Sequence, residues 1–118
     1  MVPTRNEILQ HCIDECQSCH EICVETAAYC LRQGGQHAGV HHMTTLLDCA
    51  EICATSTNFM LRDSQSHQRT CEVCAEICER CAASCESVGD DDMMRRCAEE
   101  CRRCGESCRQ LSRTMARV

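Results

Sequence analysis

Apolar and polar positions along this chain repeat with a step of three or four residues. The step is clearest in Cys71-Glu72-Val73-Cys74-Ala75-Glu76-Ile77-Cys78-Glu79-Arg80-Cys81-Ala82-Ala83-Ser84-Cys85, where cysteines recur at intervals of 3, 4, 3 and 4. That spacing puts side chains at the a and d positions of a helix facing other helices. The same unit recurs as Cys16-Gln17-Ser18-Cys19-His20-Glu21-Ile22-Cys23 and Cys101-Arg102-Arg103-Cys104-Gly105-Glu106-Ser107-Cys108. A fourth copy, Leu46-Leu47-Asp48-Cys49-Ala50-Glu51-Ile52-Cys53, carries leucine at its first cysteine position. With Cys16, Leu46, Cys71 and Cys101 set at position a, every cysteine falls at a or d. The repeated Glu21, Glu51, Glu76 and Glu106 then fall at f, on a solvated face, and Ile22, Ile52 and Ile77 at g widen the apolar stripe.

The pattern predicts four helices, over about residues 4–33, 41–62, 66–87 and 91–116, in one domain spanning 1–118. Thr4 and Glu7 fit a capping box at the first start, and Gly34-Gly35 fit its stop. Asp63-Ser64-Gln65-Ser66 can cap the third helix. Asp90-Asp91-Asp92 place negative charge where the fourth helix dipole favours it. Short loops between helices predict an all-α fold, an antiparallel up-down four-helix bundle with a cysteine-lined core.

Composition turns this packing pattern into a chemical one. Sixteen of 118 residues are cysteine, with one Phe, one Tyr and no Trp. A secreted disulfide scaffold is the first expectation for a short, cysteine-rich chain. The start Met1-Val2-Pro3-Thr4-Arg5-Asn6-Glu7 has no apolar signal-peptide core, and no apolar run is long enough to span a bilayer. A cytoplasmic location with reduced thiols is therefore expected, with no membrane partner. The formal charge of −6 and the scarcity of aromatic side chains argue against nucleic acid as a partner.

Cysteines at i and i+4 have Cβ atoms about 5–6 Å apart, wide for a disulfide, which wants about 3.8 Å. Two such thiolates can hold a bridging metal. Seven Cys-x-x-x-Cys pairs are present: Cys12/Cys16, Cys19/Cys23, Cys49/Cys53, Cys74/Cys78, Cys81/Cys85, Cys97/Cys101 and Cys104/Cys108, leaving Cys30 and Cys71. Thiolates select Cu(I), zinc or iron–sulfur clusters. Ferredoxin-type motifs place cysteines on loops with a proline after the last, whereas here the one proline is Pro3. One Cu⁺ per thiolate gives a neutral core, while four thiolates on each Zn²⁺ leave a net −2 that is costly to stack in a dry interior. Multiple Cu(I) ions fit best. A seam from Cys12 to Cys30 extends about 27 Å at the helical rise per residue. It has room for about 8 ions on private pairs and about 16 at neutrality.

The Cys-x-x-x-Cys pairs on four helices and the Cys-x-x-Cys-x-Glu-Ile-Cys units resemble the bacterial copper storage proteins, a family of cysteine-rich four-helix bundles. The resemblance runs from Cys12 to Cys108, and the chain is similar to the cytosolic kind. It implies high-capacity storage of Cu(I) by the sixteen thiolates, for copper buffering or detoxification, and a homotetramer of bundles. A copper chaperone is a candidate partner. Helix 2 departs from the pattern, with Leu46, Ser56 and Met60 on its seam.

An up-down bundle gathers helix ends in two groups. Cys30, His42, Cys85, Met94 and Cys97 meet at one end, with His37, His41, Met43 and Met93 close by in sequence. Because His and Met are exchangeable copper ligands, this end is the expected entrance, with His42 and Met94 as its ligands. Leu9, Met60, His67, Leu111 and Met115 gather at the other end, expected to be closed, with His67 satisfied by neighbours. His11 at c and His20 at e are given no role. The alternatives are zinc or other soft-metal buffering and a thiol redox sensor. The chain has no Glu-x-x-His motif, Ser/His/Asp signature or phosphate loop, and no enzyme activity is expected.

Overall fold

The computed structural model describes residues 6–115 and holds four α-helices, α1 Glu7–Gln33, α2 Val40–Leu61, α3 His67–Val88 and α4 Asp92–Met115. A 3-10 turn at Gly35–Ala38 fills the link between α1 and α2. No strand occurs among the described residues. The helices pack in the order α1, α2, α3, α4 and back to α1, which closes the ring of an up-down bundle. Its principal extents are 51 × 26 × 20 Å.

Local chemistry sets each helix end. The Thr4 cap expected from sequence lies outside the described residues. Asn6 is the observed N-cap, its side chain accepting from the backbone N–H of Ile8 at 2.8 Å and Leu9 at 3.2 Å. α1 stops where Gly34 and Gly35 take φ of 70° and 55°, a left-handed backbone that favours glycine. Ser66 precedes α3 and makes no side-chain cap, and its backbone N–H donates to the Ser64 hydroxyl at 3.1 Å.

The heptad reading carries through to burial. All sixteen cysteines are fully buried, together with Ile13, Leu46, Met60, Met94 and Leu111. Ile22, Ile52 and Ile77 are half-buried and pack on this core, while Glu21, Glu51, Glu76 and Glu106 are exposed. Outside the core, Arg109 donates to both carboxylate oxygens of Glu79 at 2.5 and 2.6 Å, and Arg102 pairs with Glu86, tying α3 to α4. These pairs are solvent-exposed, so each adds at most about 1 kcal/mol. The thiols and the few aliphatics between them supply the cohesion of the fold.

Candidate metal site

The helices run antiparallel, and the sulfurs show it. On α1 and α4 the contacts run Cys12–Cys108 at 3.6 Å, Cys16–Cys104 at 3.6 Å, Cys19–Cys101 at 3.8 Å and Cys23–Cys101 at 3.9 Å. Residue numbers rise on one helix as they fall on the other. On α2 and α3 the contacts run Cys49–Cys78 at 3.8 Å and Cys53–Cys74 at 3.7 Å in the same manner. Cys19–Cys49 at 3.8 Å and Cys53–Cys104 at 3.9 Å cross between the two pairs of helices.

Sequence spacing pointed to private i, i+4 pairs within a helix. Of the short sulfur–sulfur contacts, Cys74–Cys78 at 3.8 Å is of that kind, and the others join different helices. Side chains at a and d lean into the bundle axis, so a thiol meets the facing helix before it meets its own next turn.

The sulfurs gather into five groups whose members lie within 4.8 Å of one another. From the α1 N-terminal end they are Cys12/Cys71/Cys108, Cys16/Cys74/Cys104/Cys108, Cys19/Cys53/Cys78/Cys104, Cys19/Cys23/Cys49/Cys101 and Cys23/Cys81/Cys97/Cys101. Each group shares at least one sulfur with the next: Cys108, then Cys104, then Cys19, then Cys23 and Cys101. The result is a continuous ladder along the bundle axis. Cys85 and Cys30 stand outside these groups, at the end where α1 finishes and α4 begins.

At that end His42 is buried, its Nδ1 lying 2.7 Å from Ser84 Oγ and its Nε2 3.5 Å from Cys30 Sγ. In the tautomer that donates Nδ1–H to Ser84, the Nε2 lone pair and the Cys30 sulfur converge. Burial lowers the His42 pKa, which keeps the ring neutral and its lone pair free. Burial, with Cys97, Asp91 and Cys81 nearby, pushes the Cys30 thiol up to about 11. Cys85 is raised too, by Cys81 and Cys97 first and then by burial. These thiols stay protonated at neutral pH, so each gives up a proton when a soft cation takes its sulfur.

Met94 is also fully buried, Met43 and Met93 are half-buried, and His41 is exposed. His37 is held from outside: its Nε2 lies 3.2 Å from Asp91 Oδ1, while the Tyr29 hydroxyl donates to Asp91 Oδ2 at 2.5 Å. The Tyr29 and His37 rings meet edge to face at 5.8 Å. Ser84 and this Tyr29–Asp91–His37 cluster were not read from sequence, because the contacts span 42, 62 and 54 residues. Of the remaining histidines, His11 is exposed and His20 Nδ1–H donates to the Ala50 carbonyl at 2.8 Å, so both serve the outside of the bundle.

At the opposite end Met60, His67 and Leu111 are buried and Leu9 is half-buried, and the Met115 side chain lies outside the described residues. One expectation fails here. His67 is not satisfied: both its ring nitrogens are buried without a hydrogen-bond partner among the described residues.

A helical bundle whose interior is a ladder of reduced thiols, closed to solvent and tipped with imidazole and thioether groups, is a multi-ion receptacle for a soft metal. The model of the copper storage protein family matches residues 5–113, and the chain belongs to that family. Among solved structures it is similar to the Nmul_A1745 protein from Nitrosospira multiformis, at 43% identity over 93% of this chain and 99% of that one, with a TM-score of 0.87. It is similar to the Cu(I)-bound copper storage protein BsCsp3 of Bacillus subtilis, at 32% identity over 90% and 99% of the two chains, with a TM-score of 0.84. A cytosolic copper storage protein from Streptomyces lividans, holding five coppers, matches at 28% identity over 91% and 93%, with a TM-score of 0.83.

Proposed function

We propose that this chain stores Cu(I), filling the ladder between its helices with many ions held by the sixteen cysteine thiolates. The observation that carries this reading is the sharing of sulfurs between successive groups from Cys12 to Cys101. A carrier of a single ion needs one such group. Shared sulfurs let neighbouring ions bridge, so bound copper builds a cluster rather than a row of isolated sites. Each Cu⁺ that replaces a thiol proton leaves the interior neutral, which a narrow buried core requires. A stack of Zn²⁺ ions on four thiolates each would accumulate negative charge in the same space. The Cu(I)-bound relatives support the same metal.

His42 and Met94 form the entrance. His42 Nε2 sits within reach of the first thiol, Cys30, and Met94 lies one helical turn from Cys97. A neutral imidazole and a thioether bind Cu(I) without charge and release it to thiolates. The cytoplasm is the compartment that keeps the thiols reduced, and the Streptomyces relative is a cytosolic protein. Among the described residues no helix is long and apolar enough to cross a membrane. Binding of this kind needs no catalysis. A homotetramer is the assembly that the family resemblance implies, and sedimentation measures it.

The test is titration of reduced, metal-free protein with Cu(I) against a competing chelator, followed by the ultraviolet thiolate–copper band. Saturation is expected at about 8 to 16 ions per chain. Saturation at one or two ions overturns storage.

A further inference from the structure

We propose that His67 is a metal ligand, completing a terminal imidazole–thiolate site for Cu(I) with Cys12, Cys71 and Cys108 at the end of the bundle opposite the entrance. The proposal rests on the storage reading and extends it to a nitrogen ligand at the end that sequence assigns to apolar closure.

The terminal group is the one set of three. The other four groups hold four sulfurs each, whereas Cys12, Cys71 and Cys108 stand without a fourth. α2 supplies no cysteine beyond Cys53 in this direction. Its Ser56 is occupied, the hydroxyl donating to the Thr70 carbonyl at 3.2 Å. His67 lies four residues before Cys71 on α3, and on a helix that spacing stacks two side chains on one face. Both are seam positions, and both are buried.

His67 is 4% exposed, and neither ring nitrogen has a hydrogen-bond partner among the described residues. Its backbone, by contrast, is fully engaged. The His67 N–H donates to the Ser64 carbonyl at 3.2 Å, and the His67 carbonyl accepts the Thr70 hydroxyl at 3.0 Å. Next to it, Gln68 and Ser112 exchange hydrogen bonds between α3 and α4, at 3.4 and 3.3 Å. The ring is therefore carried on an anchored turn, and it is the ring alone that lacks a partner. A buried polar group without a partner calls for a specific cause. An imidazole lone pair buried one helical turn from the Cys71 thiol gains one in a soft cation, because Cu(I) accepts nitrogen and sulfur together. Met60, also buried at this end, adds a thioether to the surroundings. The binding step exchanges Cu⁺ for thiol protons, and His67 contributes its lone pair as a neutral ring with no electron transferred.

The experiment compares the full chain with His67→Leu, both reduced and metal-free, titrated with Cu(I) while the histidine ring resonances are followed by ¹⁵N NMR. Loss of the His67 signals in the variant assigns them. In the wild type the ring resonances are expected to shift as loading completes, and the variant is expected to saturate about one ion lower. The metal-free variant should melt no lower than the wild type, since leucine removes an unpaired polar group from the core. A copper-loaded wild type whose His67 resonances do not move overturns this site and leaves storage intact. A shift produced by Zn(II) but not by Cu(I) overturns it equally. A wild type that takes up no Cu(I) overturns both readings at once.

Discussion

Cys104 belongs to two groups, one with Cys16, Cys74 and Cys108 and the other with Cys19, Cys53 and Cys78. Its sulfur lies 3.6 Å from Cys16 and 3.9 Å from Cys53. Cys104→Ala should therefore remove about two Cu(I) ions, because a bridging sulfur serves two neighbours on the ladder. Cys30→Ala is the comparison. Cys30 stands outside the groups and faces His42, so its loss should remove at most about one ion. The metal-free Cys104 variant should remain folded. Losing one sulfur leaves a cavity near 20 Å³, and transfer and cavity terms together cost about 1 kcal/mol. For a chain of 118 residues that lowers Tm by roughly 3–5 °C. The assay is native mass spectrometry of the saturated proteins beside a chelator-competition titration. If the ions instead sit on private pairs within each helix, Cys104 and Cys108 hold one ion between them. Cys104→Ala would then cost one ion and Cys30→Ala, outside every such pair, none, and that result refutes the ladder.

Three further outcomes follow from named contacts. Gly105 lies inside α4, where an added Cβ would meet the Ala75 carbonyl and the Cys78 Cβ at 3.5 Å, ordinary contact distance. Gly105→Ala should therefore stabilise the metal-free protein by about 0.5–1 kcal/mol, read as a rise in Tm. Burial holds the Cys30 pKa at about 11, against an ordinary 9.0, by favouring the neutral thiol. The stability this gives is complete below 9.0 and is lost as pH rises toward about 11, so the Tm gap between wild type and Cys30→Ala should shrink across that window. His42→Gln should slow Cu(I) uptake in stopped-flow absorbance while leaving saturation within about one ion of the wild type, because an entrance ligand governs rate more than capacity.

Much of this molecule was legible in its sequence, and for one reason. A single residue type marks the seam, so the heptad phase of all four helices can be read without ambiguity. Burial of every cysteine, exposure of Glu21, Glu51, Glu76 and Glu106, and the half-buried Ile22, Ile52 and Ile77 all follow from that phase. The partners of each sulfur were not legible. Spacing along one helix fixes which face a thiol takes, but the axial offset between helices decides which thiol it meets. That offset comes from packing across contacts such as Cys12–Cys108, 96 residues apart. The unpartnered ring of His67 was hidden for the same reason, since a seam position says that a side chain is buried and nothing about its neighbours.

Helix α2 shows how placement outweighs number. It carries two cysteines, Cys49 and Cys53, and its other seam positions include Leu46, Ser56 and Met60. Counted by thiols it is the poorest wall of the vessel. Yet Cys49 touches Cys19 on α1 and Cys78 on α3, and Cys53 touches Cys74 and Cys78 on α3 and Cys104 on α4. Both stand at mid-height, where they link the sulfurs of the other three helices. Toward the ends of α2, Leu46 and Met60 are fully buried apolar groups that hold the bundle together before any metal arrives. The helix thus divides its seam between bridging sulfur at the centre and cohesive packing on either side. A bundle that must fold empty and then fill needs both, and α2 provides them along a single face.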